Sequence, residues 1–188
     1  MAEYAVLSAN TYAIRDFQVV PIRRQDMLSI MSWRNDQIEV LRQKNLLTPA
    51  EQEKYYNDVI SPSFDSPKPS QILFSFLKDN ILIGYGGLVH ISWEDSRAEI
   101  SFLVNPERTR DEEGYQADFA TFLALMKMIA YRELRLNRIF TETYDIRPTH
   151  IQVLERSGFV IEGRLRKHNI VNGKFVDSII HGSLRDDG

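Results

Sequence analysis

The sequence predicts an α/β (α+β) fold with a mixed, mostly antiparallel central sheet. Three apolar segments separated by short polar turns predict antiparallel strands at 71–77, 81–91 and 97–104. A long amphipathic helix is predicted at 116–134, and a strand at 138–144 follows it. This strand, helix and strand predict a parallel crossover inside the antiparallel sheet.

The remaining elements are predicted from local patterns at both ends of the chain. A strand at 17–22 and a helix at 26–36 come first, and a second helix at 48–59 begins with the capping box Thr48-Pro49-Ala50-Glu51. Polar composition predicts loops at 61–70 and 105–115. A helix at 148–156 is stopped by Gly158, and the last strands, 159–169 and 174–184, flank Asn172-Gly173, a strong hairpin sequence.

Composition narrows the classes of function. The 188 residues predict one domain, 1–188, and the net charge of −3 argues against a general nucleic-acid binder. The sequence contains no cysteine, which excludes thiol nucleophiles and disulfides, and its four histidines show no metal-ligand spacing. No apolar run approaches a membrane span or a signal peptide, so we expect a cytoplasmic protein without a membrane partner.

The C-terminal third carries a family resemblance. Residues 153–168 read VLERSGFVIEGRLRKH and are followed by Asn172-Gly173-Lys174 and Asp177, while Trp33-Arg34-Asn35-Asp36 ends the first helix. From 17 to 184 the chain resembles the GNAT acyltransferase superfamily, in particular the branch of ribosomal-protein N-terminal and amino-sugar acetyltransferases. The resemblance implies a GNAT fold, with helices on both faces of the sheet and a splayed pair of parallel strands.

The same resemblance implies acetyl-CoA as co-substrate. Its pantetheine arm would lie between the strands at 97–104 and 138–144, with its phosphates at a helix start near Gln116. The cofactor-binding residues implied in this way are Phe102, Leu103, Val104, Arg108, Gly114, Tyr115, Gln116, Ala117 and Arg147. The glycine-rich loop of the family is reduced here to one glycine beside Asp111, Glu112 and Glu113. Arg108 could compensate by pairing with phosphate, or could be a solvated loop charge.

Acetyl transfer to an amine needs a base and a proton donor. The resemblance implies Glu99 as the base, and the alternative is a carboxylate on the solvent face of the sheet. Leu154 stands where the family often carries a tyrosine acid, which leaves Tyr144 and His150 as candidates. His150 titrates in a suitable range as an ordinary histidine, and the alternative is a capping or surface residue.

The acceptor site is expected beside the first helices. Trp33, Arg34, Asn35 and His90 are its predicted residues, and core packing is the alternative for Trp33. The predicted function is acetyl-CoA-dependent transfer to a primary amine of a small molecule, with a nucleotide-linked amino sugar as one candidate. Protein N-terminal acetylation and a degenerate, non-catalytic acyl-CoA-binding module are the alternatives. We expect a monomer or homodimer that uses no metal.

Overall fold

A computed structural model describes residues 2–187 and contains one eight-stranded sheet. The strands are β1 (Tyr12–Ile14), β2 (Phe17–Pro21), β3 (Ile72–Lys78), β4 (Ile81–Ser92), β5 (Arg97–Val104), β6 (Arg138–Tyr144), β7 (Val160–Val171) and β8 (Lys174–Leu184). Their order across the sheet is β1-β2-β3-β4-β5-β6-β8-β7. Each neighbouring pair of these strands is antiparallel except β5 and β6, which confirms the predicted mixed sheet.

Five α-helices accompany the sheet in the part of the chain that is described. They are α1 (Met27–Asp36), α2 (Pro49–Tyr55), α3 (Ser61–Asp65), α4 (Glu112–Met128) and α5 (Pro148–Arg156). Single π-helical turns extend α2 through Tyr56–Ile60 and α4 through Ile129–Glu133. Within residues 2–187, no helix has the length and apolar character that crossing a membrane requires.

Helices pack against both faces of the sheet, as predicted. Successive strand residues point to opposite faces, so Ser75 and Phe76 of β3 lie on different sides. Ser75 donates a 2.6 Å hydrogen bond to Asp26, directly before α1. On the other side, the Phe76 ring packs edge-on against Phe122 of α4 at 5.3 Å between centroids.

The second helix begins with the predicted capping box. The Thr48 hydroxyl accepts a 3.3 Å hydrogen bond from the Glu51 backbone N–H, and the Glu51 carboxylate accepts a 2.8 Å bond from the Thr48 N–H. The prediction of a loop over 61–70 is wrong at its start, because α3 occupies Ser61–Asp65. α3 follows the π-helical turn Tyr56–Ile60 without a break, so Pro62 lies within a continuous helical segment.

The long central helix begins four residues before the predicted start. The segment predicted as the loop 105–115 contains a 3₁₀ turn, Pro106–Arg110, and α4 then starts at Glu112. Acidic side chains are favoured in a first helical turn, since they face the positive end of the helix dipole. Glu112 and Glu113 therefore belong to the helix, and the prediction of its N-terminus near Gln116 is wrong.

The parallel strands β5 and β6 separate along their length. They pair only over the Cα partners Arg97↔Arg138, Ala98↔Ile139 and Glu99↔Phe140. Beyond these pairs, β5 stays bonded to β4 through Val104 and β6 stays bonded to β8 through Tyr144. The predicted splayed pair is confirmed, and the two strand edges that face the gap are left without a ladder partner.

Candidate active site

The gap between β5 and β6 opens into a cleft of about 610 Å³. Its walls come from both separated strands and their neighbour β4, from α1, α2 and α5, and from the segment 40–47 between α1 and α2. The residues of β5 and β6 that line it are Glu99, Ile100, Ser101, Phe102, Thr141, Glu142, Thr143 and Tyr144. The cleft therefore begins where the ladder between β5 and β6 ends.

Glu99 lies at this branching point and is 8% exposed. Its carboxylate accepts two hydrogen bonds from the Arg42 guanidinium, at 2.6 and 3.2 Å. Arg42 also donates a 2.9 Å bond to Glu142, whose other oxygen accepts a 2.8 Å bond from Ser178. The interpretation of Glu99 as a solvent-face carboxylate is wrong, because the side chain is buried in the cleft.

Arg42 is charged in this arrangement. Burial by itself would lower the pKa of Arg42, but the hydrogen bonds and charges of Glu99 and Glu142 raise it above its ordinary value. Sequence patterns gave no reason to select Arg42 or Glu142. Arg42 precedes Glu99 by 57 residues and Glu142 by 100 residues in sequence, and only the folded sheet brings these side chains together.

The predicted acceptor residues separate into two groups. Arg34 and His90 line the cleft. The Arg34 guanidinium donates to Gln43, at 3.0 Å, and to the Tyr85 hydroxyl. His90 has a largely exposed side chain, 69% accessible, with Nε2 3.8 Å from Glu99 Oε2.

Trp33 and Asn35, the other two predicted acceptor residues, are not among the residues that line the cleft. Trp33 packs against the hydrophobic core. The Asn35 amide donates a 2.9 Å bond to the Leu47 carbonyl and accepts bonds from the Leu47 N–H, at 2.8 Å, and from Gln43, at 2.9 Å. Asn35 therefore fixes the segment 41–47, which in turn forms the cleft wall.

His150 is buried in the wall of the cleft, so the interpretation of it as a surface residue is wrong. Its ring stacks on Phe119 with 3.9 Å between centroids. Burial, followed by the charges of Arg147 and His181, lowers the pKa of His150 well below 6.5. The expectation that it titrates near neutral pH is therefore wrong, and the side chain is neutral at physiological pH.

His150 belongs to a hydrogen-bonded group with Tyr115 and Arg147. The Tyr115 hydroxyl lies 2.6 Å from His150 Nδ1 and accepts a 3.1 Å bond from Arg147. Arg147 can only donate, so the Tyr115 hydroxyl accepts this bond, and in the His150 tautomer that carries its proton on Nε2 the same hydroxyl donates to Nδ1. Burial raises the pKa of Tyr115, although Arg147 opposes the shift.

Tyr144, the other candidate acid, ends β6 and lines the same cleft. Its hydroxyl points toward the Leu41 carbonyl at 3.4 Å, a long hydrogen bond. Burial raises the pKa of Tyr144 despite the opposing charge of Arg42. Tyr144 therefore keeps its proton at neutral pH and is available as a donor.

A second cavity of about 560 Å³ lies beside the start of α4. It shares Val40, Arg147 and His150 with the first, so the two cavities adjoin. Glu112 and Tyr115 line it from the helix. The outer cavity thus continues the cleft toward the helix N-terminus.

Several predicted cofactor residues lie elsewhere. The Tyr115 N–H already bonds Asp111, so the helix N–H groups without a helical partner are those of 112–114. Gln116 and Ala117 lie past this point and line neither cavity, and their contact with the cofactor stays a prediction.

Arg108 and Gly114 also line neither cavity. Arg108 is bonded to the buried carboxylate of Asp118, at 2.8 Å for one pair of atoms, so it is neither a phosphate ligand nor a free loop charge here. A Cβ on Gly114 would lie 2.4 Å from a carboxylate oxygen of the exposed Asp111 side chain, which can turn away, so close packing does not require the glycine. Phe102 and Arg147 do line the cleft, Tyr115 lines the outer cavity, and Leu103 and Val104 are buried on the gap-forming strand.

Comparison with known proteins identifies the class that this fold and cleft define. Residues 19–180 match the family model described as acetyltransferase (GNAT) domain, and the chain belongs to this acetyltransferase family. The predicted class of enzyme, an N-acetyltransferase, is confirmed. A search of curated protein sequences finds no significant match.

Among solved structures, the chain is similar to spermidine N-acetyltransferase from Vibrio cholerae in complex with CoA and spermine. The TM-score is 0.81 at 20% identity, over 93% of this chain and 98% of the other. A dodecameric structure of that Vibrio cholerae enzyme gives a TM-score of 0.77 at 21% identity, over 92% and 96% of the two chains. At these identities the likeness confirms the GNAT fold.

Proposed function

We propose that this chain transfers the acetyl group of acetyl-CoA to a primary amine of a small molecule. The observation that carries the proposal is the position of Glu99 at the point where β5 and β6 separate. The extended pantetheine arm of acetyl-CoA can bond to the free strand edges there, and the Glu99 carboxylate lies at the inner end of the arm. The matching structure from Vibrio cholerae, an N-acetyltransferase in complex with CoA and spermine, supports both substrates.

The residues of the cleft fit acetyl-CoA. The gap-facing edges of 100–104 and 141–144 offer backbone groups for the pantetheine arm, with Phe102 as an apolar wall. The Thr141 hydroxyl is buried without a hydrogen-bond partner among residues 2–187, so it can bond to the arm. Arg147 pairs with no carboxylate in that range and opens to both cavities, which suits a phosphate.

Glu99 and Tyr144 would carry the proton transfers. Glu99 accepts the proton that the attacking amine must lose as its nitrogen bonds to the thioester carbon. As the carbon–sulfur bond breaks, Tyr144 donates its proton to the departing thiolate. His150, kept neutral by burial, positions Tyr115 and Arg147 at the bend between the two cavities.

Arg34 favours a nucleotide-linked amino sugar as the acceptor. Within residues 2–187 it bonds to Gln43 and Tyr85 and to no carboxylate, so its charge is available to an anionic group in the cleft. A diphosphate beside the amine would provide that anion. Polyamines, which the similar Vibrio cholerae enzymes acetylate, would leave Arg34 unpaired.

The single domain 1–188, the cytoplasmic location and the monomer or homodimer stay predictions.

An amine panel tests the proposal. Purified protein is incubated with acetyl-CoA and nucleotide-linked amino sugars, spermidine or peptides with free N-termini, and products are identified by mass spectrometry. The proposal predicts an acetylated small molecule and release of one free thiol for each product. Acetylation confined to peptide N-termini would favour the protein-acetylating alternative instead.

A non-catalytic acyl-CoA-binding module is favoured by two features, Leu154 and the carboxylates at the start of α4. Thermal unfolding with and without acetyl-CoA, together with the thiol-release assay, distinguishes a binding module from an enzyme. A ligand at 100 times its Kd stabilises the folded state by about 2.7 kcal/mol. If acetyl-CoA stabilises the protein but no amine leads to thiol release, the chain is a binding module. If acetyl-CoA gives no stabilisation, both the acetyltransferase and the acyl-CoA-binding module are excluded.

A further inference from the structure

Arg42 occupies the space between two carboxylates of the cleft. It bonds both oxygens of Glu99 and one oxygen of Glu142, and all three side chains line the same cavity. We refer to Arg42, Glu99 and Glu142 as the arginine bridge. Two carboxylates around one guanidinium leave a formal charge of −1, so the site attracts cations.

The bridge conflicts with the proposed role of Glu99. Arg42 takes an acceptor site on each oxygen of Glu99, so an amine that delivers its proton to Glu99 must compete with Arg42 for the same carboxylate. The guanidinium and an alkylammonium carry the same charge and donate to the same oxygens. Arg42 therefore stands where the protonated acceptor would be held.

The surrounding contacts let Arg42 leave without dismantling the site. Its side chain is 49% exposed, whereas those of Glu99 and Glu142 are 10% and 15% exposed. Glu142 keeps its bond to Ser178, and Glu99 lies on a paired part of β5. The backbone of the segment 41–47 is fixed separately, through Asn35 and Leu47.

We propose that Glu99 and Glu142 together form the ammonium site for the acceptor, and that Arg42 fills this site until the acceptor displaces its side chain. This inference rests on the proposed function, since it takes the acceptor to be an amine. Arg42 then sets the selectivity of the site. An acceptor must bind the two carboxylates tightly enough to displace the tethered guanidinium of Arg42. Cations that bind the site only weakly cannot do so.

A binding test needs neither acetyl-CoA nor turnover, so its outcome is independent of the proposed acetyl transfer. Arg42→Ala removes the tethered cation, and millimolar ethylguanidinium or n-butylammonium chloride serves as the probe. We expect either probe to raise the Tm of this variant by about 2–4 °C. Wild type and the double variant Arg42→Ala/Glu142→Gln should show no shift beyond that given by sodium chloride.

The chain offers a matched control. Arg164 also bridges two carboxylates, Asp145 and Asp177, but on the exposed hairpin side, where none of the three lines either cavity. Arg164→Ala should give no probe-dependent shift and should leave the kinetic constants unchanged. Arg42→Lys keeps the charge but loses the planar fork, and it replaces Arg42→Ala if that variant is unstable. It should bind the probes more tightly than wild type, because a lysine cannot bond both carboxylates through a planar fork.

Kinetics supply the second readout. With the amine that wild type acetylates fastest, Arg42→Ala should lower the acceptor KM about 5–10-fold and leave kcat within about twofold. Glu142→Gln should raise the KM about tenfold. If neither cation stabilises Arg42→Ala or Arg42→Lys, or if Arg42→Ala raises the KM while binding acetyl-CoA normally, then Arg42 is a fixed structural clamp and the inference is wrong.

Discussion

The two faces of the sheet use the same strands for different purposes. On one face, Phe102 of β5 stacks on Phe119 of α4, with ring centroids 4.6 Å apart, and also packs against Phe122 at 4.7 Å. On the other face, Glu99 of the same strand contacts Arg42. We call these the aromatic face and the charged face.

This difference follows from the alternation of side chains along a strand. The aromatic face buries large apolar area, which is the main source of folding free energy. The charged face places ions in a cleft, where they add little net stability and are available for chemistry. Substitutions on the charged face should therefore change activity, whereas substitutions of aromatic-face residues that do not line the cleft, such as Phe122, should change stability.

The largest effect is expected on the charged face. Glu99→Gln keeps the shape of the side chain but cannot accept the proton, so kcat should fall about 10²–10⁴-fold. Steady-state thiol release with the best amine measures kcat, and the thermal shift with acetyl-CoA should be retained. An unchanged kcat would remove Glu99 as the base.

The opposite pattern is expected on the aromatic face. Phe122 is fully buried and packs on Phe76 and Phe102, so Phe122→Ala should lower the free energy of unfolding by about 3–5 kcal/mol. Urea unfolding measures the loss. The kcat of the folded fraction should stay within about twofold of wild type. A stable Phe122→Ala variant with impaired catalysis would contradict the division between the faces.

His150 should make stability depend on pH. Burial lowers the pKa of His150 well below its ordinary value and also lowers that of His181, so below about pH 6.5 the folded state binds fewer protons than the unfolded chain. The free energy of unfolding should therefore fall as the pH drops from 6.5 toward 5, by up to about 1.4 kcal/mol per pH unit from His150, with a smaller contribution from His181.

The variant His150→Phe tests this pH dependence. Phenylalanine keeps a ring against Phe119 but binds no proton, so the slope of stability with pH should decrease. His168→Gln replaces an exposed histidine and serves as the control. Urea unfolding at several pH values measures both slopes. Equal slopes in wild type and His150→Phe would contradict the assignment.

The smallest effect is expected at the cap of α2. Thr48→Ala removes the capping hydroxyl and should lower the free energy of unfolding by about 1 kcal/mol. Because Thr48 does not line the cleft, the acceptor KM should stay unchanged. A changed KM in this variant would show that the start of α2 positions the charged face.

Local patterns were sufficient to predict much of the fold. β5, β6, α5 and β8 have the predicted bounds, because each is delimited by turn residues or caps next to it in sequence. The start of α4 was missed, since its acidic first turn resembles a polar loop. The short strand β1 was not predicted, because three residues carry too little periodicity.

The candidate site was less predictable. Glu99 could be selected through the family resemblance, but the arginine bridge depends on contacts between distant segments. The pairing of Tyr115 with His150 likewise joins positions 35 residues apart, on α4 and α5. No periodicity in the sequence encodes such side-chain contacts, because they depend on how helices and the sheet pack together.

Hydrogen exchange tests the central claim most directly, which is that acetyl-CoA bonds to the free strand edge beyond Glu99. The account predicts that saturating acetyl-CoA slows exchange of the gap-facing amides within 100–104 and leaves 97–99, which already pair with β6, unchanged. Binding with no protection of 100–104, or with equal protection of both segments, would contradict it.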